Sequence, residues 1–413
     1  MNPSLGIALT LGLASILSHA SDFRIWTSRQ GSTFEAKLAA YRDGTVRLAN
    51  KENRTIDMAA NDLSLADRQY LIANADADAE VLLAGDTTIP ELDYRKPQDP
   101  IRVLEDTITF ADNEDLTFAL HETDHYLFAV GRKVKVNGIA ETAEACWHGM
   151  AFQHYEFREN WGDTRQLIVI PGEKELYEAL GASQAELLRE HGKEDAAYLT
   201  DLTWNRLSSG KMALTPAMAD AFNVKREALV YNLPDLKRFR RDFDSFQTNS
   251  LTRALFASQA GPLTTAKKEG YFALSIGHGY FKEIQLTKKS ATNLLATDYE
   301  EIETVSGFDD GTGWARHLKK LVKKEEVELS LDLILAIKNT NELTPNTLVS
   351  MYSLSCYMQS TQKQLASYAT LLRDINNSAK LPDSAGIAKV FGFDSTADFE
   401  LAWTEFVLSK SFK

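Results

Sequence analysis

The sequence predicts a multidomain chain: a small all-β barrel, a linker, and a larger α+β domain whose C-terminal half is mostly helical. Three observations carry this reading. The chain has 413 residues, which fits two or three domains better than a single core. Residues 23–71 are short alternating runs separated by turn signals, and an Ala-, Asp- and Pro-rich stretch with little periodicity follows. Beyond residue 101 strand-like and helix-like patterns mix, and from Pro234 helical spacing dominates. The boundaries expected are a leader over 1–20, the barrel over 21–73, a linker over 74–100 and the large domain over 101–413.

The leader comes first. Residues 7–17 form a largely apolar run, and Ser18-His19-Ala20 is a small-x-small cleavage site, so a secretory signal is expected, with the mature chain starting near Ser21. The run is too short to span a bilayer comfortably, so no membrane insertion is expected after cleavage, and the protein is expected in the periplasm, at the cell surface or outside the cell. A net charge of -13 argues against nucleic acid and anionic membrane surfaces as partners. Cys146 and Cys356 lie far apart in apolar, helix-like segments; export permits a bridge between them, and two buried thiols are an equal expectation.

In the first module, Phe34-Ala36-Leu38 and Val46-Leu48 alternate, and Arg42-Asp43-Gly44 and Lys51-Glu52-Asn53 mark turns. Ser64 is placed to cap a short closing helix. Arg24-x-Trp26-Thr27, Gly31, Glu35-Ala36, Gly44-x-Val46-x-Leu48 and Leu63-Ser64-x-x-Asp67-x-x-Tyr70-Leu71 together resemble the first homology domain of the endocytic adaptor Sla. That resemblance implies an SH3-like barrel that binds peptides or proteins. Trp26 is its candidate contact residue, although a place in the barrel core is the reading preferred for it.

In the second domain, "LTFALHETDHYLFAVG" alternates and precedes a turn, and "IAETAEACWHGMAFQHYEFREN" has helical spacing. "RQLIVIPG" reads as a buried strand, "EKELYEALG" and "SQAELLREHG" as short helices, "AAYLTDLTWNRLSSGKMAL" as a hairpin and "REALVYNL" as a strand.

The first of these segments contains His121, Glu122 and His125, spelling H-E-x-x-H. In zinc peptidases this motif sits on a helix, so both imidazoles reach one metal and the Glu polarises the bound water. Here Leu116, Phe118, Leu120, Tyr126, Phe128 and Val130 all fall on even positions, and Gly131 ends the run, which is strand periodicity. On one strand residues 121 and 125 would stand about 13 Å apart, too far for one zinc. The segment also opens its domain, before any strand that could frame a site. Glu141 and Glu144 fall where a third ligand could come from, with His148 and His154 nearby.

A second segment carries a stronger likeness. Asn249-Ser250-Leu251-Thr252-Arg253-Ala254-Leu255-Phe256 and Glu269-Gly270-Tyr271-Phe272-Ala273 fall where gluzincin peptidases of the MA-like superfamily carry H-E-L-T-H-A-L-L and W-L-x-E-G-x-A. The likeness extends weakly over most of 101–406. It implies a zincin-like fold whose metal site is vacated: Asn249 and Arg253 replace the histidines, Ser250 replaces the catalytic Glu, and only Glu269 remains. An Arg253–Glu269 ion pair filling that site is the corresponding expectation. Tyr271, His278, Tyr280 and Glu283 follow the second motif and are candidate cleft residues, although a packed helix is the reading preferred for this stretch.

The function expected is therefore that of a secreted bacterial pseudo-metallopeptidase: no catalytic residues, no metal or other cofactor, and a peptide or protein ligand. The alternative is an active zinc peptidase with His121 and His125 as ligands and Glu122 as base. A non-metal hydrolase is a third class, for which the chain shows no G-x-S-x-G elbow.

Overall fold

The computed structural model describes residues 23–28, 32–42, 44–75, 77, 82, 101–153, 164–238, 243–259, 270–290, 292, 311–378 and 380–413. The expected leader, most of the expected linker, His154 and Glu269 lie outside the described residues. The chain divides into two compact units, Met1–Leu82 and Leu83–Lys413.

In the first unit, four strands pair antiparallel in chain order: β1 (Arg24–Thr27), β2 (Thr33–Arg42), β3 (Thr45–Ala49) and β4 (Thr55–Ala59). Their register shifts between Leu38 and Ala40, which bends β2. Helix α1 (Leu65–Asn74) follows, and the Ser64 side chain caps it by accepting from Asp67 N. Asp67 is buried and ties this helix to β1: Oδ2 accepts from Thr27 N at 2.7 Å, and Oδ1 pairs with Arg24 Nη2 at 2.9 Å. The Arg24 guanidinium also covers the Tyr70 ring at 3.8 Å. Trp26, Val46, Leu48, Leu63 and Leu71 fill the core, which extends past residue 73 to Ala77 and Leu82, where Arg68 Nη1 donates to Leu82 O at 2.9 Å.

The second unit is built on a six-stranded mixed sheet in the order β5-β6-β7-β8-β10-β9. The strands are β5 (Arg102–Thr109), β6 (Thr117–Glu122), β7 (Tyr126–Val130), β8 (Gln166–Ile170), β9 (Ser209–Ala213) and β10 (Glu227–Tyr231). β7, β8 and β10 run parallel, and the strands at both sides are antiparallel. Alternation divides the side chains between two layers. Leu127, Ala129, Leu167, Val169 and Val230 face a smaller core with α3 (Lys174–Glu190). Tyr126, Phe128, Ile168, Ile170 and Tyr231 face a larger helical core. That larger core contains α2 (Val136–Gln153), α7 (Phe243–Gln259), α8 (Tyr271–Thr287) and α11 (Pro345–Met358). Between α3 and α7 lie α4 (Glu194–Thr203), α5 (Pro216–Phe222) and α6 (Leu233–Arg238); α9 (Gly311–Lys323) and α10 (Leu331–Leu335) precede α11. Three helices follow it: α12 (Gln362–Ser378), α13 (Ser384–Val390) and α14 (Thr396–Leu408).

Several expectations change. The alternating run over 116–130 is two strands, because the chain reverses at Asp124-His125, with Thr123 N donating to Tyr126 O at 3.0 Å. Across that reversal Leu120 pairs with Ala129, so the even-numbered apolar residues lie on opposite sheet faces before and after the turn. β5 precedes the hairpin, so this segment does not open the sheet. "EKELYEALG" and "SQAELLREHG" form one continuous helix, α3. The expected hairpin over 196–214 is instead α4, a 3-10 turn at Trp204–Arg206, and β9. Trp204 organises that segment: its indole stacks on Tyr177 with centroids 5.2 Å apart and donates to Tyr177 O at 2.8 Å. Cys146 and Cys356 are free and buried. No described helix is long and apolar enough to cross a membrane.

Candidate functional site

Asn249, Ser250 and Arg253, three of the four residues expected at the vacated metal site, lie on α7, where it meets α8. Helix α8 fits between α7 and α11 because glycines stand on two of its faces. A Cβ on Gly277 would come within 2.3 Å of Met351 O in α11. One on Gly279 would come within 3.0 Å of Arg253 Cγ and of Asn249 Oδ1 in α7. Asn249 and Arg253, one turn apart, therefore present themselves to the same glycine-flattened surface.

That interface is polar although it is buried. Asn249 Nδ2 donates to Glu283 Oε2 at 2.9 Å, and Glu283 Oε1 accepts from Thr292 N at 3.1 Å. Tyr231 Oη, from β10, donates to Ser250 Oγ at 3.2 Å. Arg253 retains some exposure, but its Nε is enclosed without a partner, and burial lowers its guanidinium pKa against the neighbouring Tyr280 and Tyr271. Lys282 is fully buried; burial brings its ammonium down to about 7, and Nζ donates to Gln285 Oε1 at 3.1 Å. Cys146 Sγ lies 3.4 Å from Thr252 Oγ1, and burial pushes its thiol up to about 11.

His278, Tyr280 and Glu283 do not line an open cleft; all three are completely buried within helix packing. His278 Nδ1 lies 3.1 Å from Tyr368 Oη and 3.2 Å from Gln359 Nε2, and its ring stacks on Tyr368. Tyr271 keeps partial exposure at the start of α8. The partner expected for Arg253, Glu269, lies outside the described residues.

The His121-Glu122-x-x-His125 motif occupies the β6–β7 hairpin, not a helix. Its three side chains diverge into separate tasks. Glu122 lies between Arg102 Nε, at 2.9 Å, and Arg165 Nη1. Burial raises its carboxyl, but the two arginines outweigh this and hold it below the ordinary carboxylate range. His125 Nδ1 contacts Glu144 Oε2 at 2.7 Å, its backbone N donates to Glu144 Oε1 at 3.0 Å, and its ring stacks on Trp147 with centroids 3.4 Å apart. His121 lies on the sheet face of its pair partner Phe128, and burial lowers its imidazole pKa. Among the described residues no group of three or more His, Cys, Asp or Glu side chains is placed to hold a metal ion.

Trp26 is fully buried and donates from Nε1 to Ala36 O at 2.9 Å, so it belongs to the core of the small unit and not to a contact surface. A separate cavity of about 720 Å³ lies between α10 and the α12–α13 connection, lined by Asp332, Leu335, Lys380 and Asp383 among others. Sequence reasoning found neither Lys282 nor the His125–Glu144–Trp147 stack. Glu144 and Trp147, three apart on a helix opposite a turn histidine, were the available signal for the stack. No family model, curated protein or solved structure matches the chain.

Proposed function

We propose that this is a secreted bacterial protein that binds peptides or proteins without cleaving them. Its large unit is a zincin-like domain with a vacated metal site, and its small unit is an SH3-like binding module. The observation that carries the reading is the Asn249–Arg253 face of α7. The two positions, one helical turn apart, where the resemblance calls for metal-binding imidazoles hold an amide already engaged by Glu283 and a guanidinium. A guanidinium repels a cation and is no ligand for one. Peptide binding is supported by β9, which ends the sheet order and offers an edge strand to an extended chain.

The test is bound metal after zinc loading and dialysis of the chain from residue 21 onward, with His121→Ala in parallel. Both proteins are expected to hold far less than one zinc per chain. One zinc per chain, lost in the variant, would make the hairpin motif a metal site and overturn the reading.

A further inference from the structure

Helix α4 turns its large apolar side chains outward. Its inner side packs on α3 through Ala197, which is buried, and Thr200 and Thr203, which are half-buried. Its outer side carries Tyr198, Leu199 and Leu202 at 66, 56 and 47% exposure, and Leu207 just beyond it is 43% exposed. None of the four belongs to either core of this unit. A single exposed leucine needs no explanation, but four large apolar side chains so close in sequence form a patch.

Charge is arranged along that outer side in a self-complementary order. Helical backbone continues from α4 into the 3-10 turn at Trp204–Arg206. Positions 195, 198, 199, 202 and 206 keep helical spacing, so the stripe runs from Asp195 through Tyr198, Leu199 and Leu202 to Arg206. The acid stands at the N-terminal end and the base at the C-terminal end. A second copy of this stripe fits it antiparallel, with a two-fold axis between Thr200 and Asp201. Leu199 of each copy then meets Leu202 of the other, and Asp195 meets Arg206 at both ends. A parallel arrangement would set Asp195 against Asp195 and Arg206 against Arg206. Antiparallel helix dipoles favour the same choice. Asp201, the charge beside the axis, is already paired with Arg189 of α3.

We propose that α4 is the contact surface of a homodimer, in which two copies of the chain pair antiparallel about a two-fold axis through the Tyr198–Leu199–Leu202 stripe. A two-fold contact uses the same patch on both copies and so demands self-complementarity, which the order of charges on α4 supplies. One short helix per copy covers less than the roughly 800 Å² per partner of a standard interface, so the dimer is weak and concentration-dependent. The dimer does not depend on the peptide-binding reading.

The experiment is sedimentation velocity of the chain from residue 21 onward, across the micromolar to millimolar range. A monomer–dimer equilibrium is expected. Leu199→Glu should weaken dimerisation by about 10- to 100-fold, the range for an anchor at the centre of a contact. The melting temperature of the dilute protein should not change with it, because this side chain is exposed in the single copy. Asp195→Lys and Arg206→Glu should each weaken dimerisation severalfold. An equimolar mixture of these two variants should restore it, because the mixed dimer has an opposite-charge pair at both ends. That recovery separates a second copy from any other occupant, since a segment of the same chain lying over the patch would leave every sample monomeric. A monomer at all concentrations, dimerisation indifferent to Leu199→Glu, or a mixture no better than either variant alone would overturn the proposal.

Discussion

Asn249 Nδ2 donates to Glu283 Oε2 at 2.9 Å across the α7–α8 interface, with both side chains buried. The contact joins a helix packed under the sheet to one packed against α11, and it does so at the centre of the candidate site. A buried carboxylate is tolerated only while donors reach it. Asn249→Ala removes one of them and is expected to cost about 1.5–3 kcal/mol, the range for hydrogen bonds to charged groups. Glu283→Gln keeps the shape and discards the charge, so its cost should be smaller. Urea unfolding of the two variants at pH 7 compares them directly; an equal or reversed order would show that the carboxylate charge is not what Asn249 serves.

The His125–Glu144 contact predicts an acid-side loss of stability. Burial raises the Glu144 carboxyl, but hydrogen bonds from His125 and Thr123 outweigh it and leave the folded pKa below the ordinary value. A carboxyl depressed on folding contributes stability that is complete above its unfolded pKa of about 4.3 and is lost as pH falls through the folded value. Glu144→Gln should therefore be less stable than the parent at pH 7, by about 1.5–3 kcal/mol. The gap should close below pH 4. Melting curves between pH 3 and pH 7 measure it, and a constant gap would mean the pairing is not ionic.

Lys282 predicts the opposite slope. Burial lowers its folded pKa to about 7, beneath the unfolded value of about 10.4. Between these values the unfolded chain binds more protons, so this residue makes stability rise as pH rises from 7 towards 10. Lys282→Met should flatten that rise and, by removing a desolvated charge, stabilise the protein at pH 7. If Lys282→Met destabilises at pH 7, the ammonium is serving a contact that outweighs its desolvation.

The sequence made some of this architecture readable and concealed the rest for identifiable reasons. The strands Gln166–Ile170 and Glu227–Tyr231 were legible because central strands covered on both faces are continuous apolar runs. The reversal at Asp124-His125 was not, because a two-residue turn without glycine leaves even-odd alternation intact while changing which face each parity occupies. Positions 249 and 253 could be placed on one helix face from spacing alone. The charge of Lys282 could not, since a lysine in an apolar helix reads as a solvated end until its burial is seen.

The missed helix over 194–203 and the misread hairpin trace to one residue, Trp204, and give the last prediction. Its indole lies between two glycines from different elements: a Cβ on Gly181 in α3 would stand 2.3 Å from Trp204 Cδ1, and one on Gly210 in β9 would stand 2.5 Å from Cζ3. Neither glycine has a positive φ, so alanine is excluded by the ring and not by the backbone. Gly181→Ala and Gly210→Ala are each expected to destabilise by about 1–3 kcal/mol through overpacking. Gly181→Ala should show this even though alanine is the better helix former by about 1 kcal/mol. Trp204→Leu frees both positions, so adding Gly181→Ala to it should be neutral or stabilising. A double-mutant cycle by chemical denaturation tests the coupling; additive costs would mean that the two glycines are not there to admit the indole.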